Sequence, residues 1–127
     1  MKTIKSFLLL PAALVMLLSL FSGCENTDPS VLKVFVRSSS NALVAGAKVV
    51  IVADINSNPP TMAYVDTLYT NFSGFVTFDM DQFFKMAGSE TTTGYFDILG
   101  EKDNKLGEGY IRCRKHLTAV ETVFLMN

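Results

Sequence analysis

Val31-Leu32-Lys33-Val34-Phe35-Val36-Arg37 and, ten residues on, Ala47-Lys48-Val49-Val50-Ile51-Val52-Ala53 decide the fold class. Both stretches are rich in β-branched residues and have the two-residue period of a strand. In the first, Leu32, Val34 and Val36 share one face and Lys33, Phe35 and Arg37 share the other. In the second both rows are apolar apart from Lys48, which predicts a central or doubly covered strand. Working outward, Ser38-Ser39-Ser40-Asn41 reads as a turn. Asp54 to Thr61, with Pro59-Pro60, reads as a loop through which no ladder passes.

The pattern continues along the chain. Tyr64 to Thr70 reads as a third strand, Asn71-Phe72-Ser73-Gly74 as a turn and Phe75 to Met80 as a fourth strand. Asp81 to Met86 is expected to make a single helical turn under the sandwich, since Phe83 and Met86 fall three apart. Thr93 to Leu99, Gly107 to Arg114 and Thr118 to Met126 complete the strands, and Glu101 to Lys105 forms a polar hairpin tip. Short strands with regularly spaced turn signals predict an all-β fold, an antiparallel seven-stranded two-sheet sandwich.

Ahead of this domain lie Lys2 and Lys5, an apolar run from Phe7 to Phe21, and Ser22-Gly23-Cys24. A charged start, an apolar middle and small residues before a cleavage point read as an export signal. The apolar run is shorter than the roughly 20 residues that span a bilayer and is broken by Pro11. The constellation resembles the lipobox of bacterial lipoproteins, with Phe21 where the pattern usually has an aliphatic residue. The resemblance implies cleavage before Cys24, diacylation of its thiol and acylation of the new amino terminus. It divides the chain into a signal peptide at 1–23, a lipidated tether at 24–30 and a sandwich domain at 31–127. It implies a cell-envelope address, lipid-anchored in the outer membrane on its periplasmic or surface face. Two or more acyl chains suffice to hold a protein there stably.

Composition removes several function classes. Without residues 1–23 the chain has 9 basic and 12 acidic residues, a formal charge of −3, which speaks against nucleic acid as a partner. Arg112, Arg114, Lys115 and His116, the nearest approach to a basic run, are interrupted by Cys113. With Cys24 lipidated, Cys113 has no internal disulfide partner. It is a reactive thiol, a dimer bridge or a small buried hydrophobe, and free cysteines favour burial. His116 is the single histidine of the chain, so no Ser-His-Asp or Cys-His constellation can be assembled from the sequence. One free cysteine and one histidine do not make a zinc site. Asp79-Met80-Asp81 lacks the glycine-bearing loop of a calcium site. The expectation is no catalytic residue, no metal and no cofactor. Tyr64, Tyr69, Phe72 and Tyr95 are the candidate ligand-binding aromatics for a glycan, although the chain has no Trp to strengthen such a platform.

Leu43-Val44-Ala45-Gly46-Ala47-Lys48-Val49 and Thr70-Asn71-Phe72-Ser73-Gly74-Phe75-Val76-Thr77-Phe78 are similar, in order and separation, to two elements of carboxypeptidase regulatory-like (transthyretin-like) domains. In the first a turn delivers small residues into the second strand. In the second a threonine and a polar glycine turn open the fourth. The resemblance covers about half of the chain after Cys24 and implies a seven-stranded sandwich that serves as a non-catalytic accessory module. Together these readings predict a membrane-anchored envelope lipoprotein, not an enzyme, that acts as an interaction or structural module for an envelope protein partner. The alternative is a carbohydrate-binding lipoprotein that assists polysaccharide capture.

Overall fold

The computed structural model describes residues 25–127; the expected signal peptide and Cys24 lie outside the described residues. In chain order the elements are β1 Val31–Arg37, β2 Lys48–Ala53, β3 Val65–Tyr69, β4 Phe75–Asp79, α1 Asp81–Ala87, β5 Thr93–Lys102, β6 Lys105–Arg114 and β7 Thr118–Phe124. They build two facing sheets, β4-β1-β7 and β3-β2-β5-β6. The arrangement is sandwich-like and not closed.

Alternation in the sequence becomes alternation in burial. Leu32, Val34 and Val36 of β1 are fully buried and Lys33, Phe35 and Arg37 turn outward. β2 lies between β3 and β5, as its two apolar rows predict. Val49 and Ile51 face the core while Val50 and Val52 are half-buried on the outer face. Phe78, Phe96, Ile98 and Val123 close the core between the sheets. Each such side chain contributes about 1.5–3 kcal/mol by leaving water.

Three expectations need correction. The four-stranded sheet is antiparallel throughout, but β7 runs parallel to β1, pairing Val31 with Thr118 through Arg37 with Phe124. The turn after β6 carries the chain from one sheet to the other, so β7 starts at the same end as β1 and climbs beside it. Alternating burial specifies a face and is blind to the direction of the neighbouring strand. The second correction concerns α1, which buries Phe83 and Phe84 and leaves Met86 exposed. Phe83 packs edge-on against Phe84 at 5.1 Å and Phe96 at 5.0 Å, so the adjacent ring pair seals the base of the core. The third is the polar hairpin tip. β5 and β6 extend through it, leaving only Asp103 and Asn104 as a two-residue turn, both at positive φ (51° and 64°).

The β3–β4 turn needs its glycine. Gly74 sits at φ 75°, and a Cβ there would lie 2.7 Å from Leu43 Cβ and 3.0 Å from the Val44 nitrogen. Along one side the two sheets are bridged by backbone, where Leu106 of β6 and Met126 exchange hydrogen bonds of 3.2 and 2.8 Å.

Candidate functional site

Residues 25–30 form no strand or helix, yet they are fastened to the base of the sandwich. Asn26 Nδ2 donates to the His116 carbonyl at 3.1 Å, and His116 Nδ1 lies 2.6 Å from the Asp28 carbonyl oxygen. A carbonyl only accepts, so that nitrogen carries a proton. His116 stands at φ 64° in the β6–β7 turn, and its backbone N–H donates to Ser30 Oγ at 2.7 Å. Ser30 N–H donates to Asp81 Oδ1 at 2.8 Å, at the first turn of α1. Those hydrogen bonds from Ser30, backbone first and then side chain, hold the Asp81 carboxyl below the usual range, with His116 and Lys85 adding to the effect against some desolvation. Tether, turn and helix thus converge on the buried Ser30.

The outer face of the four-stranded sheet exposes several large apolar side chains. Directly opposed residues share a face in an antiparallel ladder. The registers Val50 with Thr67 and Leu99, and Leu99 with Glu108, therefore put Val65, Val50, Val52, Leu99 and Leu106 on one side together. Val65 is 64%, Leu106 63% and Leu99 44% exposed. Lys48, Glu101 and Glu108 edge a shallow hollow of about 330 Å³ whose apolar lining comes from Val50, Leu99 and Leu106.

The four aromatics singled out in the sequence do not converge. Tyr64 packs toward the core, edge-on to Phe83 at 5.4 Å and Phe96 at 6.4 Å. Burial, assisted by Asp66 and Asp79, raises its phenol above the ordinary value. Phe72 stands fully exposed at the tip of the β3–β4 turn. Tyr69 and Tyr95 share the outer face of the four-stranded sheet, but Tyr69 is level with Glu101, six residues along β5 from Tyr95. That is a separation of about 20 Å along the strands.

Tyr95 instead stacks on Tyr110, with ring centroids 6.3 Å apart and planes 25° from parallel. Tyr110 was not among the residues expected to matter. It donates to Asp54 Oδ2 at 2.7 Å, and this bond, with desolvation and the nearby carboxylates of Asp54 and Asp97, pushes its phenol up to about 12. The pair became legible only through the hairpin register, which places Tyr110 opposite Asp97 and diagonal to Tyr95.

Cys113 is buried, and burial pushes its thiol up to about 12, which keeps it protonated and unreactive at neutral pH. Asp79 Oδ1 accepts the Asp81 N–H at 3.0 Å, and Asp81 is engaged by Ser30. Among the described residues no cluster of three or more His, Cys, Asp or Glu is placed to hold a metal ion. No known protein family and no curated protein matches this chain.

Proposed function

We propose that the protein is a lipid-anchored module of the cell envelope, without catalysis, that uses the outer face of its four-stranded sheet to hold a protein partner. The observation that carries this reading is the grouping of Val50, Val65, Leu99 and Leu106 on one exposed sheet face, rimmed by Lys48, Glu101 and Glu108. A contiguous apolar surface with a charged border is the anatomy of a protein contact. The lipobox at Cys24 supports the address. The likeness of Leu43–Val49 and Thr70–Phe78 to accessory sandwich domains supports the module role. The test places a photo-crosslinker at Leu99 and, as a control, at Thr77 on the other sheet, in the acylated chain in intact envelopes. The reading requires one reproducible protein adduct at Leu99, absent at Thr77 and lost with Leu106→Glu. Equal or no adducts at the two faces would overturn it.

A second reading, glycan capture, is favoured by the stacked Tyr95–Tyr110 pair. Beside Tyr95 runs a groove lined by Pro59, Pro60, Glu90, Thr92, Arg112 and Arg114. Aromatic faces next to hydroxyl, carboxylate and guanidinium groups suit a sugar ring. Saturable retention on a polysaccharide gel that Tyr110→Ala abolishes would support it, and the absence of retention across a broad glycan panel would remove it.

A further inference from the structure

We propose that the end of the sandwich formed by the tether, the β6–β7 turn and α1 lies directly against the bilayer, with Leu117 and Met86 at head-group depth, and that the Phe72 end points away from the membrane. This rests on acylation of Cys24. Consecutive Cα atoms are about 3.8 Å apart, so Cys24 lies within about 8 Å of Asn26 whatever path the chain takes. Asn26 is bonded to the His116 carbonyl, and Asp28 and Ser30 are held by His116 and Asp81. An acyl chain attached at Cys24 therefore enters the membrane immediately beside the β6–β7 turn, with no slack to let the domain tumble.

The side chains at that end suit the position. Leu117 follows His116, its carbonyl accepts the Val31 N–H, and it is 47% exposed. Met86 is exposed on α1, and Lys85 beside it lies close enough to Asp81 to lower that carboxyl. Apolar tips entering the head-group layer, with Lys85 and Lys115 reaching phosphate oxygens along their stems, form an interfacial contact. Glu25, Asp28, Asp79 and Asp81 share this end, so the contact is led by apolar burial beside the anchor and does not require anionic lipid. At the other end the β1–β2 loop, the Phe72 turn and the Asp103–Asn104 turn stand about 20 Å away along β7.

The experiment uses the full chain processed from its own signal, with acylation at Cys24 verified by intact mass. The protein is reconstituted in phosphatidylcholine vesicles carrying a head-group nitroxide quencher. A fluorophore is attached in turn at Leu117→Cys, Met86→Cys and Phe72→Cys; all three sites are exposed, and native Cys113 is buried and does not react. Leu117 and Met86 labels are expected to be quenched several-fold more than the Phe72 label. A flexible Gly/Ser insertion of about ten residues between Glu25 and Asn26 should bring the Leu117 signal down toward that of Phe72. Equal quenching at the two ends of an acylated molecule, or an insertion without effect, would overturn the orientation. An unacylated chain would overturn the anchor itself, a separate failure read from the mass.

Discussion

The two sides along which the sheets face each other are built on opposite principles. Where β6 meets β7 the backbones touch: Leu106 and Met126 exchange hydrogen bonds, Val123 and Leu125 are buried, and Gly107 and Gly109 give up their side chains to allow the approach. Where β3 faces β4 no such bridge forms, and β3 leaves Val65 and Tyr69 each 64% exposed. The inward position between Val65 and Thr67 holds Asp66, half-buried opposite Ile51. An inward-pointing carboxylate is one way an edge strand is kept from zipping onto another chain. Stability is therefore concentrated on the closed side. The open side is guarded at its edge, which favours the sheet face over the strand edge for the proposed partner contact.

The sharpest way to break this contrast is Gly107→Ala. A Cβ at Gly107 would be driven into the Phe124 carbonyl oxygen and would lie 2.6 Å from Val123 Cγ1. The obstacle includes backbone, which does not swing aside. The variant should lose about 3 kcal/mol of stability, the upper range for overpacking, read as a drop in the urea midpoint. A loss under about 1 kcal/mol would mean that this side yields as readily as the other.

That glycine also shows where sequence reading stops. β1 and β2 are legible because alternation and β-branching are local properties, and the burial of Val49 and Ile51 follows directly. The Gly107-Glu108-Gly109 segment reads only as strand, because the reason for its small residues is β7, some 16 residues downstream. The parallel pairing of β1 with β7 is likewise a property of two distant segments. A helix of seven residues is too short for periodicity to choose between Phe84 and Met86 as the second core contact. Tyr110 depended on register: moving the turn from a five-residue tip to Asp103–Asn104 is what brings it to Tyr95. His116 reads as a turn residue, and it is one. Its grip on residues 26 to 30 arises from contacts across about 90 positions of chain, invisible in any local window.

A smaller effect is expected on the open side, where Thr70 is the main fastening between β3 and the β1–β2 loop. Its hydroxyl donates to the Val44 carbonyl at 2.7 Å and accepts the Ala47 N–H at 2.8 Å in a buried setting. Thr70→Val keeps the shape and strands both backbone groups, costing about 2 kcal/mol in denaturant unfolding. Thr70→Ser, which retains the hydroxyl, should recover most of it. If Thr70→Val were as damaging as Gly107→Ala, the contrast between the sides would disappear.

The smallest effect belongs to the bond that ties the two sides together across the outer face, from Tyr110 on β6 to Asp54, where β2 gives way to the loop leading to β3. The folded state favours the protonated phenol, which donates to the carboxylate; the unfolded chain titrates near the ordinary value of 10.0 and the folded one at about 12. A raised pKa means a contribution fully present below pH 10 and lost as pH rises through about 12. Wild-type stability should fall across that window, and Tyr110→Phe should flatten that part of the decline while leaving the neutral-pH core unfolding cooperative. An alkaline profile unchanged by Tyr110→Phe would show that the link does not form in solution. The β2–β3 loop would then move independently of β6, making the open side looser than its hydrogen bonds imply.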